Sequence, residues 1–121
     1  PRLVFGGADV VLLPSKFEPC GLVQMEAMRY GAIPIVRKVG GLADSVQDFD
    51  PETGEGTGFM FEKFDPFSLT IAMVRAYQIY HQKNFWSKMI KNAMTQDFSW
   101  KRSAAEYMKL FEMALRFHKE K

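Results

Sequence analysis

Cysteine occurs once, at Cys20, so no internal disulfide can form, and this usage fits a reducing compartment. Histidine is nearly as scarce. His81 and His118 are the only two, both far along the chain from Cys20, and the three make no metal-ligand spacing. No metal is expected. No apolar run approaches the roughly 20 residues that span a bilayer, and no signal-peptide pattern opens the chain. Neither sign of charge dominates: 16 basic and 14 acidic residues leave a net charge of +2. That balance gives no electrostatic ground for nucleic acid or an anionic membrane as partner. Repeats and low-complexity segments are also lacking. A cytoplasmic protein is the expectation.

What is present is a globular composition. Hydrophobic residues make up 47% of 121, with 11 Phe, 8 Met, 4 Tyr and 2 Trp, far more than a disordered chain carries. The length suits one modest domain. The chain begins with Pro1, and residues 1–5 lead into Gly6-Gly7 as a helix tail leads into its glycine stop, which reads as a piece of something longer.

Residues 9–13 form a short apolar run ended by Pro14-Ser15, the pattern of a buried parallel strand. Residues 21–30 are rich in helix formers and stop at Gly31, with Leu22, Met25, Ala27 and Met28 as the apolar side. Residues 32–36 are the next strand, where Pro34 suits an entrance or bulge better than a central ladder position. Gly40-Gly41 opens a short helix over about 42–47. Residues 48–58 read as a polar, glycine-bearing loop, mobile over 54–58, and 59–61 as a third strand. Asp65-Pro66 is an N-cap with proline at the first helical position. Three helices follow. The first carries Leu69, Ala72, Met73, Ala76, Tyr77 and Tyr80 at helical spacing, a face read as core packing. The second, about 85–95, carries Trp86, Met89, Ile90 and Ala93. The third, from near Ser99, places Ala104, Tyr107, Met108, Phe111 and Leu115 on a face expected to be buried. Strand alternating with helix, then helices alone, predicts an α/β fold: a parallel sheet of about three strands with a C-terminal helical tail. It divides into a strand–helix core over 1–64 and a helical tail over 65–121. A doubly wound sheet usually has more strands, so one sheet edge should be bare.

The densest chemistry lies in Pro14-Ser15-Lys16-Phe17-Glu18-Pro19-Cys20-Gly21-Leu22, between a strand's carboxyl end and the next helix, where open α/β sheets bind ligands. The main-chain N–H groups of Cys20, Gly21 and Leu22 would lie unpaired at a helix N-terminus, a cradle for phosphate. Gly21 permits close approach to the main chain. Glu18, ionised and acceptor-only, suits the hydroxyl groups of a sugar. By composition Glu18 reads also as a helix cap, and Glu26, two turns into the helix, as a solvated face residue. Gly40-Gly41-Leu42 repeats the strand-to-helix arrangement and is a second possible contact edge. Cys20 as a nucleophile would need a base that neither histidine supplies. Gly54-Glu55-Gly56-Thr57-Gly58 precedes a strand rather than following one, so it fails the context of a dinucleotide loop.

These residues, in this order, resemble the bacterial glycogen synthase and plant starch synthase family. The resemblance runs from Ala8-Asp9 through the 14–22 cluster to Arg29-Tyr30-Gly31, Pro34, Val36-Arg37 and Gly40-Gly41-Leu42-Ala43-Asp44. It continues in Gly56-Thr57-Gly58-Phe59, Asp97-Phe98-Ser99-Trp100 and Ala104-Ala105-Glu106-Tyr107, and so covers nearly the whole chain. It implies a retaining glucosyltransferase of two facing Rossmann-like domains, the GT-B architecture, with this chain as part of the C-terminal donor-binding domain. It implies transfer of glucose from ADP-glucose or UDP-glucose to an α-1,4-glucan, with no cofactor or metal, in the cytoplasm or, for a plant protein, the plastid. Glu18 is then the catalytic-site residue that bonds the donor glucose hydroxyls. Cys20, Gly21 and Leu22 meet sugar and diphosphate through their main chain, and Glu26 the ribose. The leaving diphosphate takes the acceptor's proton, so no general base is sought here. The N-terminal acceptor domain and the basic phosphate clamp are missing, so the 121 residues alone should be inactive and should self-associate through the bare edge. Another retaining nucleotide-sugar transferase and a non-catalytic interaction module are the alternative readings.

Overall fold

The computed structural model describes residues 2–119. Three parallel strands, β1 (Val10–Leu13), β2 (Ile33–Arg37) and β3 (Phe59–Phe61), lie in the order β1-β2-β3. Val10 pairs with Ile33, and Ile35 pairs with Phe59. β2 is central, and Ile33, Pro34, Ile35 and Val36 are all buried, as a parallel strand covered on both faces requires.

Pro34 thus stands inside the central strand, against the sequence expectation. The alternation of a parallel ladder accounts for it. The Ile33 N–H donates to the Asp9 carbonyl on the β1 side, so the Pro34 nitrogen faces the β3 side. Pairing with β3 begins only at Ile35, so no hydrogen bond is lost. Gly58 makes room for the ring, since a Cβ there would stand 2.9 Å from the Pro34 Cγ.

Helices α1 (Arg2–Gly7), α2 (Val23–Arg29) and α3 (Gly40–Ser45) connect and flank the strands. Helices α4 (Pro66–Tyr80), α5 (Lys83–Met94) and α6 (Trp100–Lys119) complete the described chain. Asp65 caps α4 as expected: its carboxylate accepts the Ser68 N–H at 2.8 Å, and Pro66 follows. α4 buries Ala72, Ala76 and Ile79. Small side chains at 72 and 76 let α4 lie close on β2 and β3. Met73, Tyr77 and Tyr80, expected in the core, are turned out. Tyr77 meets the His81 ring edge-on at 4.6 Å, and Tyr80 meets Trp86 at 5.1 Å. α5 buries Trp86, Met89 and Ala93, the stripe its spacing predicts.

Residues 48–58 form a loop, as expected, and it is held by its own hydrogen bonds. Phe49 and Thr57 are buried, and the Thr57 and Gly58 N–H groups donate to Gln47, the Phe49 N–H to Gly58. A single parallel bridge between Asp48 and Gly58 closes the segment on itself. α6 is not the core helix expected: every residue from Lys101 to His118 is exposed, with Tyr107, Met108, Phe111 and Leu115 each more than half so. Its apolar face has nothing to pack on among the described residues.

The two sheet edges differ. On β3, the Asp48 carboxylate accepts the Met60 N–H at 2.8 Å, and Arg75 donates to the Met60 carbonyl. Asp48 and Arg75 pair at 3.1 Å, so that edge is plugged by side chains. β1 has no such cover among the described residues. Ladder alternation leaves the main-chain groups of Val10 and Leu12 pointing away from β2.

Candidate functional site

The loop over 14–22 leaves the carboxyl end of β1 and enters α2, and neighbouring elements hold it at three places. Near its entry the Arg37 guanidinium, on the last residue of β2, donates to the carbonyls of Lys16 at 2.8 Å and Ser15 at 3.4 Å. The same side chain donates from Nε to the Glu62 carbonyl at 3.1 Å and lies over the Phe64 ring. One cation therefore ties the loop to the segment leaving β3.

At its middle the loop rests on the start of α3. Gly41 N–H donates to the Glu18 carbonyl at 3.2 Å. A Cβ on Gly40 would overlap the Glu18 carbonyl oxygen, and one on Gly41 the Cys20 carbonyl oxygen. Gly40 also has a φ of +47°, which favours glycine independently. What this glycine pair contacts is thus the chain's own loop.

At its exit the loop is bonded by Gln24. This side chain is fully buried, in a helix whose other buried residues are Ala27 and Met28. Its Nε2 donates to the Gly21 carbonyl at 2.8 Å and to Ser45 Oγ at 2.9 Å, and Ser45 donates to the Gly41 carbonyl at 2.6 Å. Oε1 is buried with no hydrogen-bond partner among the described residues. A buried acceptor left bare costs about 1–3 kcal/mol, so a buried methionine of similar size would be less costly by itself. Gly21 has a φ of +70°, and a Cβ there would meet Oε1 at 2.6 Å. Its lack of a side chain accommodates the carboxamide as well as the turn.

Among the described residues, the N–H groups of Cys20, Gly21 and Leu22 have no acceptor. α2 opens at Val23, two residues later than expected, with Leu22 as N-cap and no side-chain cap bond. Glu18 therefore does not cap α2. It is half-buried, and Cys20 and Leu22 are exposed. Two adjoining recesses flank this turn. One of about 430 Å³ is lined by Leu22, Met25, Glu26 and Arg29 with residues of α5 and the turn after it. The other, of about 760 Å³, is lined by Pro19, Cys20, Gly41 and Ser45 and by the start of α6. Asp97, Phe98 and Ser99 line both. Bonds from the Ser99 hydroxyl and N–H hold the Asp97 carboxyl below the ordinary carboxylate range. Glu26 is exposed, in the first turn of α2 rather than the second, and opens on the smaller recess. Glu18 lines neither. The structure gathers Cys20, Gly21, Leu22, Gly40 and Gly41 into one unit, and of the two glutamates only Glu26 lines a recess beside it.

Gln24, Ser45 and Arg37 escaped the reading of the sequence as site residues. The available signal was an amide, Gln24, set among the apolar residues of a short helix three positions after a glycine.

Residues 1–96 match the group 1 glycosyl transferases, and the chain belongs to that family. Within it, the chain is similar to glycogen synthases. It is 56% identical over 111 residues to the glycogen synthase of Fervidobacterium nodosum, covering 92% of this chain and 23% of that protein. It is 52% identical over 111 residues to glycogen synthase 1 of Synechocystis, with the same shares covered. Among solved structures, the catalytic domain of starch synthase IV from Arabidopsis thaliana, bound to ADP and acarbose, superposes with a TM-score of 0.81 at 41% identity. That match covers 93% of this chain and 24% of the other. Sucrose-phosphate synthase from Thermosynechococcus elongatus superposes less well, with a TM-score of 0.62 at 27% identity over 94% of this chain and 27% of its own. The chain spans about a quarter of the length of these relatives. Its three-stranded parallel sheet with flanking helices matches a piece of a GT-B C-terminal, Rossmann-like domain.

Proposed function

We propose that this chain is the donor-holding part of a glycogen or starch synthase, one partial domain with a strand–helix core over 1–64 and a helical tail over 65–121. The whole enzyme transfers glucose from ADP-glucose, or UDP-glucose, to the non-reducing end of an α-1,4-glucan with retention. An N-terminal domain outside this chain faces the cleft and holds the glucan. The reaction needs no metal or further cofactor.

The observation that carries this reading is the turn at residues 20–22, which rests on α3: its N–H groups have no acceptor among the described residues, and Cys20 and Leu22 line open recesses. Main-chain N–H groups fixed before the ligand arrives suit a diphosphate, because no reorganisation is needed as charge builds on the leaving group. Glu18 bonds the donor glucose hydroxyls. Glu26 bonds the ribose from the smaller recess, across Leu22. The starch synthase IV relative was solved with ADP and acarbose, which supports a nucleotide and a glucan-like sugar as the ligand classes. The higher identity to glycogen and starch synthases than to sucrose-phosphate synthase supports a glucan acceptor.

The test is an NMR titration of the 15N-labelled chain with ADP, ADP-glucose and UDP-glucose at millimolar concentration. The amides of Cys20, Gly21 and Leu22 should shift first and furthest. Shifts confined to other segments would overturn the reading. The donor is decided in Fervidobacterium nodosum glycogen synthase carrying this chain in place of its matching segment, by glucose incorporation from each nucleotide sugar.

A further inference from the structure

We propose that Gln24 is a positioning residue that aims the Gly21 and Leu22 N–H groups at the ligand, acting with Ser45. The proposal rests on the reading that these groups meet the donor.

The aim follows from peptide geometry. The peptide bonds of the described residues are all trans, so each carbonyl points opposite to the N–H of the next residue. The Gly21 carbonyl is drawn inward by Gln24 Nε2 at 2.8 Å, which turns the Leu22 N–H outward. The Cys20 carbonyl is directed inward at the Gly41 Cα, with Gln24 Nε2 3.5 Å away, which turns the Gly21 N–H outward. Gln24 thus sets the direction of two N–H groups it never touches.

The carboxamide has one workable orientation. The Gly21 carbonyl can only accept, so it must face the NH2 end. The Ser45 hydroxyl gives its proton to the Gly41 carbonyl and so accepts from Nε2. Oε1 is left bare as a consequence. An apolar residue would fill the same space, but it would leave the Gly21 carbonyl without its donor and free that peptide to rotate.

The experiment uses the 121-residue chain with Gln24→Met, Gln24→Glu and Ser45→Ala, each checked for cooperative unfolding by circular dichroism. Without ligand, heteronuclear NOE values at Gly21 and Leu22 should be high in the parent and fall in Gln24→Met. With ADP as probe, Gln24→Met should weaken binding about tenfold and Ser45→Ala about threefold, the losses of one hydrogen-bonded orientation and of part of its support. Gln24→Glu sets a carboxylate against the Gly21 carbonyl. Burial raises that carboxyl's pKa, so on lowering the pH from about 8 to about 5 the protonated acid recovers a donor. ADP binding by this variant should then rise relative to the parent, which a space-filling role would not produce. Unchanged NOE values and unchanged ADP affinity in folded Gln24→Met would overturn the proposal. Should Gln24→Met not fold, parent-like NOE values in Ser45→Ala together with a flat pH response of Gln24→Glu would do so. A parent chain with rigid, Gln24-dependent Gly21 and Leu22 amides but no response to ADP would overturn the donor-site reading alone.

Discussion

The Cα of Gly41 lies against the carbonyl oxygen of Cys20, so closely that a methyl group at Gly41 would occupy the oxygen's place. A residue opening one helix is thereby the seat on which the ligand turn before another helix rests. Gly41→Ala should push the turn off α3. The expected cost is about 1–3 kcal/mol of stability, as for other overpacked sites, with a larger proportional loss of ADP affinity. Gly7→Ala is the control, because nothing lies within 4 Å of a Cβ there. Thermal melts and ADP titrations of both variants check this, and equal behaviour would contradict the seat.

Glu18→Gln should harm turnover far more than Glu26→Gln in the Fervidobacterium hybrid. Glu18 is assigned to the reacting sugar and Glu26, which lines the smaller recess, to the ribose. Loss of a charge-assisted bond made in the transition state costs about 2–4 kcal/mol, on the order of 30- to 1000-fold in kcat. Glu26→Gln should raise the donor KM with little change in kcat. Steady-state kinetics with equal small effects would remove both assignments.

The α4 cap should be visible in the pH dependence of stability. The Ser68 N–H, with help from the Ser68 hydroxyl, holds the Asp65 carboxyl below the ordinary carboxylate range in the folded chain. The unfolded chain binds the proton more readily, so the cap's contribution is complete above about pH 4 and is lost as pH falls through the lowered folded pKa. Asp65→Ala should lower Tm at pH 7, and the gap to the parent should narrow toward about pH 2. Asp65→Asn, a good cap without charge, should recover most of the loss at pH 7. A gap independent of pH would show that the carboxylate is not the cap.

Removal of residues 100–121 should leave the Tm of the remainder within a few degrees of the parent. α6 is exposed along its described length from Trp100 to His118 and covers none of the core residues. A large fall in Tm by circular dichroism would mean that α6 packs on the body in solution.

The isolated chain should self-associate through β1 and transfer no glucose by itself. Val10 and Leu12 present main-chain groups on that edge with no partner among the described residues, and Leu12 is 44% exposed. Leu12→Lys should reduce the species seen by light scattering toward the monomer. A parent chain that is strictly monomeric would refute edge pairing. Labelled glucose incorporation into glycogen by the purified chain would refute its inactivity.

Where structure follows from neighbours in the chain, the amino-acid sequence was sufficient. An apolar run stopped by Pro14 is β1, Asp65-Pro66 starts α4, and the stripe Trp86, Met89, Ala93 is the buried side of α5. Each is a short-range preference of the backbone or a single helical period, readable within about ten residues. The strand–turn–helix at 14–22 was legible for the same reason. The architecture of the turn was not. Gly41 under Cys20, Ser45 beside Gln24 and Arg37 beside Lys16 are meetings of residues about twenty positions apart, and no local period encodes them. Pro34 inside the central strand depended on where β3 begins, which is a property of the sheet. α6 shows the same division most plainly. Its period established an amphipathic helix, but period states only that a face is apolar; what covers that face is decided by packing, and the described residues supply nothing that does.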